Sequence, residues 1–291
     1  MANKNKCKVT RLECLKPDWV RVVNAARRTV GKAPIAKEPS ENFKYKVLLA
    51  EHSPIRLLEY DFTWEDIKQW TTTHFVRHHE GCEKFVHTQR TDRNEELKGL
   101  NRDKLPQGLL NDMDMTCNAQ SFINISRKRL CSCASVETRN AWKLVIKYLK
   151  EIDPALASKC VPECIYRGFC SECDKSCGYV NTDDYKRKLV YYRQYKEEKW
   201  VPLIVLNTEK GYEIKETKDY EISSWGRIRK NNKEIEIFSS ETNIEYFYYD
   251  GIQYKLSHAV YRSFNGDFHG ELIHIDGNLY NNTLDNLKLI L

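Results

Sequence analysis

Apolar residues along the first 155 positions recur mostly at helical spacing. Trp19, Val22, Val23 and Ala26 stand at offsets 0, 3, 4 and 7 behind Asp18, a residue type that caps helix N-termini. Thr63-Trp64-Glu65-Asp66 reads as a capping box that opens a helix with Trp64, Ile67 and Trp70 inward. The stretch from Met113 to Leu130 lacks Gly and Pro and reads as helix. Ser135 opens another, with Ala141, Trp142, Val145, Ile146 and Leu149 inward, stopping before Pro154. Short strands are expected at 46–49 and 57–62. Beyond 200 the character changes: 201–206, 220–222, 235–238, 246–249 and 253–256 are short β-type runs between turn residues, followed by a helix at 258–264. A charged, tyrosine-rich stretch lies before them. The expected organisation is a domain over 1–180 with a Cys-rich end, a linker helix over 181–200, and a second module over 201–291. No internal repeat is visible.

Composition narrows the class. Of 291 residues, 41% are hydrophobic, and 17 Tyr, 10 Phe and 6 Trp supply enough apolar area for a core, which argues against disorder. No run approaches the roughly 18–20 apolar residues of a membrane span, and the N-terminus shows no apolar signal region. The expectation is a soluble, cytoplasmic, mixed globular protein with no membrane partner. Charge is uneven. Residues 1–199 carry 37 Lys and Arg against 27 Asp and Glu, an excess of +10, whereas 200–291 carry 10 against 14, or −4. A basic first part suits an anionic ligand such as a nucleotide phosphate, or nucleic acid; an acidic second part does not by itself suggest DNA binding.

Eleven cysteines without a secretion signal make a disulfide framework a poor reading. Five crowd together as Cys160, Cys164, Cys170, Cys173 and Cys177. Cys170-x-x-Cys173 is the usual half-site for tetrahedral zinc, but the other half is irregular. The cluster is either a zinc site or a set of free thiols on a loop.

The densest chemistry lies at 74–93, where His74, Arg77, His78, His79, His87, Thr88, Arg90 and Arg93 fall together. Arginine forks bind phosphate bidentately and a nearby hydroxyl adds a donor; the plain alternative is a solvated basic loop. Here the residues resemble the signature of flavin-dependent thymidylate synthases, R-H-R-x-x-S-x-N-E-x-S-x-R. Arg77 and His78 match its first two positions, and Thr88 and Arg90 match its closing S-x-R with one residue inserted. His79 replaces the second Arg, and the N-E pair falls on Phe85 and Val86. Further matches follow in the same order. Ala25-Ala26-Arg27-Arg28-Thr29 is similar to the family's A-A-R-x-S, His52-Ser53-Pro54 to its G-H-x-S-P, and Arg102-Asp103-Lys104-Leu105-Pro106 to its A-R-x-x-L-P. From Asn118 to Arg139 the chain aligns without a gap to the family's C-terminal helix pair, with Asn118, Asn124, Arg129, Ala134, Glu137 and Arg139 on matching positions. Cys133 stands where the family often has His, Gln120 where it often has Arg, and Arg56 where it has Glu.

The resemblance covers about half the chain and implies an α/β (α+β) domain in a homotetramer. It implies FAD and dUMP bound at subunit interfaces, with NADPH and methylene-tetrahydrofolate as co-substrates. Reduced flavin supplies the hydride in that family, and no cysteine attacks the pyrimidine. Carried over by position, Arg77, Thr88, Arg90 and Arg102 would hold the dUMP phosphate, and Arg129 would sit against the uracil ring and polarise it as the catalytic residue. Arg77, His78, Asn118 and Asn124 would contact flavin, and His52 would line the folate and flavin pocket. The departures leave a related pyrimidine nucleotide, or loss of activity, open.

The second module carries its own pattern. The run from Asp219 to Arg229, with Trp225-Gly226-Arg227 at its turn, resembles the Y-E-V-S-N-x-G-R-V-R-S motif found beside homing endonuclease domains. His258 to Phe264, then His274-Ile275-Asp276-Gly277-Asn278 and Asn281, Asn282 and Asn286, resemble the ββα HNH nuclease pattern. His274 would be the general base for water, with a divalent cation on the leaving phosphate. Ile273, however, stands where the metal-binding residue belongs, and the chain stops where the family's last helix begins. The expectation is a truncated ββ hairpin without cleavage, of which His274, Asn281 and Asn282 are the remnant, with Asn281, Asn282 and Asn286 bonding the turn to itself. Mobile HNH elements often sit within phage thymidylate synthase genes, so the resemblance implies a fusion or exon read-through and a bacterial or phage-infected cell as the setting. Three readings stand: an FAD-dependent pyrimidine-nucleotide methylating enzyme with a degenerate HNH-like module, a DNA-binding or nicking HNH-type endonuclease on a non-catalytic oligomerisation domain, and a non-catalytic interaction protein.

Overall fold

The computed structural model describes residues 7–15, 18–207 and 213–290. It is an α+β chain with several small antiparallel sheets, in two compact units: Met1–Gly178 with Tyr192–Lys196, and Tyr179–Tyr191 with Glu197–Leu291. The first comprises β1 (Lys8–Cys14), α1 (Trp19–Thr29), α2 (Glu41–Leu49), β2 (Glu59–Lys68), α3 (Gln69–Phe75), β3 (Cys82–Val86), β4 (Leu110–Asn118), α4 (Ala119–Arg129), α5 (Val136–Ile152), α6 (Pro154–Lys159) and α7 (Glu163–Arg167). Its sheet has the order β1-β2-β4-β3, every pair antiparallel.

Two expected helices are strands. In β2 the side chains of Tyr60, Phe62 and Trp64 are fully buried, a period of two, and the supposed capping box at 63–66 lies inside the strand. A bulge between Trp64 and Ile67, with Asp66 at φ +59°, restores Ile67 to the buried face; that shift mimics helical spacing in the sequence. Met113, Met115 and Cys117 likewise alternate inward along β4, and helix begins only at Ala119. Conversely, the strand expected at 46–49 is the end of α2, capped by Ser40. The helices at α1 and α5 follow their sequence signals: Asp18 accepts from the Arg21 amide at 2.7 Å, and Ser135 caps α5. Where apolar residues ride on aromatic and β-branched types, sheet pairing overrides local propensity.

The core of this unit is aromatic. Phe62, Trp64, Phe75, Phe122 and Trp142 are fully buried and meet mostly edge-on or tilted, with Phe62 and Trp64 centroids 4.9 Å apart. Both indole N–H groups are satisfied, Trp64 on the Ala141 carbonyl at 3.1 Å and Trp142 on Ser126 Oγ at 2.8 Å.

The second unit comprises α8 (Asp183–Arg193), β5 (Trp200–Asn207), β6 (Glu213–Ser223), β7 (Ile228–Lys230), β8 (Lys233–Glu234), β9 (Phe238–Ser239), β10 (Glu245–Tyr249), β11 (Ile252–Lys255), α9 (Leu256–Asn265), β12 (Glu271–His274) and β13 (Leu287–Ile290). The stretch expected as a linker is thus the helix α8, most of which belongs to this unit. Leu203, Val205, Ile222, Phe247, Leu256 and Val260 form its core. No helix among the described residues is long and apolar enough to cross a membrane.

Candidate anion site at the end of the basic loop

α3 ends at Phe75 and α4 at Arg129, and the two ends meet. Arg129 Nε donates to His78 Nε2 at 2.9 Å, and Arg129 Nη2 donates to the His74 carbonyl at 2.6 Å. Arg77 lies close enough for its charge to act on both Arg129 and His74. The Lys84 ammonium donates to the His78 carbonyl. Burial, then the Arg129 charge, holds the His78 ring down to about 4, and burial with Arg77 draws Arg129 below the usual arginine range. His78 is therefore neutral at pH 7. Its Nε2 accepts from Arg129, so the ring proton sits on Nδ1 as a second donor. Arg77, Lys84 and Arg129 form no ion pair with a carboxylate among the described residues, an arrangement that suits an anion.

The other sequence-assigned residues are distributed as follows. Asn118 caps α4, its Oδ1 accepting from the Ser121 amide at 2.9 Å, and packs against Gly81. Gly81 has φ +65° and a Cβ there would collide with the Asn118 amide, so only glycine fits. Asn124 is half-buried on α4 with no hydrogen bond from its amide among the described residues. His52 is exposed, at the N-terminus of a short 3₁₀ turn. Arg90 binds Asp92 with both fork nitrogens, its amide takes Thr88 Oγ1 at 3.2 Å, and Arg102 is near enough to act on Asp92. Arg77 and Arg129 thus form one group, and Thr88, Arg90 and Arg102 a second. Strand β3 lies between the two segments in the sequence, and no hydrogen bond or ion pair joins the two groups among the described residues. Phe85, where the signature has Asn, is 66% exposed on this edge strand.

The sequence assigns no role to His74, whose carbonyl anchors Arg129 from the end of α3, or to Lys84 in β3. Nor does spacing assign a metal role to Cys131 and Cys133. Those thiols and Glu172 place their ligand atoms within 4.8 Å of one another. They line an open cavity of about 270 Å³ together with Arg127, Lys128, Arg129 and Glu163. Arg127 is committed to Glu163 through two bonds of 2.9 and 3.0 Å, which hold that carboxyl down to about 2. Of the five cysteines grouped by sequence, Cys160 stands apart: it is 5% exposed, and its burial pushes the thiol up to about 12. Cys164 and Cys170 lie near each other and Cys164 near Cys131, while Cys177 lies near Cys133. The side chain of Cys173 is outside the described residues.

In the second unit, His274 Nε2 pairs with Asn282 Oδ1 at 2.9 Å. Asn282 in turn donates to the buried Glu245 at 2.8 Å, which Arg187 neutralises at 2.8 Å. Asp276 accepts from Asn278, Asn281 and Asn286. β12 and β13 pair as an antiparallel hairpin around this turn. The Trp225-Gly226-Arg227 turn packs on the same loop: Leu284 donates its amide to the Ser224 carbonyl at 2.9 Å. Arg227 is held by Glu198 and Glu234, and Arg229 by Glu221 while stacking 4.1 Å over Trp200. These arginines have carboxylate partners, and no group of three or more metal-ligating side chains occurs here among the described residues.

No family model matches the chain, and no curated protein matches it. Among solved structures, one similar chain is the crystal structure of a UMP/dUMP methylase, PolB, from Streptomyces cacaoi bound with 5-Br dUMP, at a TM-score of 0.42 and 12% identity over 56% of this chain and 95% of that one.

Proposed function

We propose that the first unit binds a pyrimidine nucleoside monophosphate, dUMP or a close relative, and methylates it with FAD, methylene-tetrahydrofolate and NADPH. The observation that carries this reading is the convergence of Arg77, His78 and Arg129 from segments some fifty residues apart onto one cluster whose arginines form no ion pair with a carboxylate among the described residues. These are residues that the signature resemblance assigns to the nucleotide and flavin.

The donor set fits a phosphorylated ligand: two guanidinium groups, an ammonium and the Nδ1–H of a neutral histidine. When bound, the reduced flavin would supply the hydride. The chain's own part is binding and polarisation. Arg77 would neutralise phosphate charge, and Arg129, fixed by two bonds, would stabilise negative charge developing on the pyrimidine carbonyl. Asn118, already used as a helix cap, would present only its amide N–H to flavin. Because Thr88, Arg90 and Arg102 make no described contact with Arg77 or Arg129, their part in the phosphate site would come from another copy of the chain in a homo-oligomer, with the tetramer of the resembled family as the assembly. The second unit is read as an HNH-like module that does not cut, since His274 is tied to Asn282.

Absorbance of the purified chain tests this reading first. A yellow protein that turns over dUMP is expected, with Arg129→Ala abolishing turnover and leaving the colour. A colourless protein that nicks duplex DNA with a divalent metal, and loses that in His274→Ala, would replace it.

A further inference from the structure

We propose that Cys131, Cys133 and Glu172, with a fourth thiolate from Cys164, Cys170 or Cys177, form a structural zinc site tying the end of α4 to the Cys-rich segment. The inference does not depend on the nucleotide reading.

Three observations carry it. The ligand atoms of Cys131, Cys133 and Glu172 lie within 4.8 Å of one another. A tetrahedron with Zn–S bonds of about 2.3 Å has edges of about 3.8 Å, so small side-chain rotations would close the set. Secondly, no described residue between 167 and 182 is buried, Phe169 is 55% exposed, and regular structure is limited to three-residue turns at 173–175 and 179–181. Apolar burial therefore does not fix this segment, yet it folds back to bring Lys175 O within 3.8 Å of Cys133 Sγ. Zinc ligation commonly replaces a missing core in such a segment. Thirdly, three thiolates and a carboxylate leave a net negative site around a divalent ion. Lys128 and Arg129 line the same cavity and offset that charge. Thiolate ligands select zinc over magnesium or calcium. The site differs from the grouping suggested by spacing alone: Cys160 is excluded, and the Cys131-x-Cys133 pair, some thirty residues earlier than the other cysteines, supplies one half.

Metal analysis of the full-length chain, purified under reducing conditions, tests this directly. About one zinc per chain is expected. It should be retained in Cys7→Ser, lost in Cys131→Ser/Cys133→Ser, and released on titration with a mercurial thiol reagent. Zinc retained in the double variant would overturn the assignment, as would an unaltered chain that neither contains zinc nor takes it up. Should the double variant fail to fold, cobalt substitution of the unaltered chain decides. Thiolate-to-cobalt charge-transfer bands with intense tetrahedral d–d bands support the site, and the weak bands of an octahedral oxygen site overturn it.

Discussion

Arg129, the last residue of α4, donates to the ring of His78, 51 positions earlier, at 2.9 Å. The bond requires His78 to be neutral with its proton on Nδ1, because a charged imidazole has no acceptor. One contact thus fixes a guanidinium, a tautomer and the crossing of two chain segments.

Removing Arg129 should therefore raise the His78 pKa from about 4, since the arginine charge is one of the causes depressing it. A histidine NMR titration of Arg129→Ala checks this; an unchanged midpoint would mean that burial alone sets it. The depressed value has a stability consequence. Between about 4 and the ordinary 6.5 the unfolded chain binds a proton at this site and the folded chain does not, so its contribution is present above 6.5 and is lost as pH falls through that window. In His78→Gln, urea midpoints should fall less steeply from pH 6.5 to 4.

Lys159 is a second group with a clear sign. It is 1% exposed, sits over the rings of Tyr45 and Tyr192, and donates to the carbonyls of Tyr192 and Gln194 at 2.7 and 2.6 Å. Burial lowers its pKa to about 7. From about 7 to 10.5 the unfolded chain holds the extra proton, so stability should rise with pH. Comparing urea unfolding of the wild type and Lys159→Met between pH 7 and 9 should show this rise only in the wild type.

Tyr60 donates to Asp153 at 2.6 Å in the core, where Asp153 also caps α6 through the Leu156 amide. Tyr60→Phe removes the donor and leaves a buried carboxyl group short of a partner. A loss of about 1–3 kcal/mol is expected in chemical denaturation. A change below about 0.5 kcal/mol would mean that water replaces the hydroxyl.

Gly226 has φ +81°, and a Cβ there would lie 2.9 Å from the Asn282 backbone oxygen. Gly226→Ala should destabilise the second unit by more than about 1 kcal/mol, read by thermal unfolding. The W-G-R turn is on this evidence a packing device for the 274–286 loop.

Part of this was legible in the sequence. Asp18 and Ser135 announced their helices because capping chemistry is local, and Asp276-Gly277-Asn278 announced its turn for the same reason. Trp64 and Met115 misled because their burial comes from sheet partners far along the chain, and a bulge at Asp66 disguised the period of two. His78 and Arg129 enter the sequence reading only as positions in two separate segments of the resembled family, and spacing does not reveal that they pair. Cys131 and Cys133 went unread because spacing cannot reveal which distant thiols a fold brings together.

The most direct test of the central claim is calorimetric titration of the purified full-length chain with dUMP. The account predicts saturable binding that Arg129→Ala weakens at least about tenfold, equivalent to about 1.4 kcal/mol, while Arg229→Ala in the second unit leaves it unchanged. Absence of saturable binding, or equal affinity in Arg129→Ala, would contradict it.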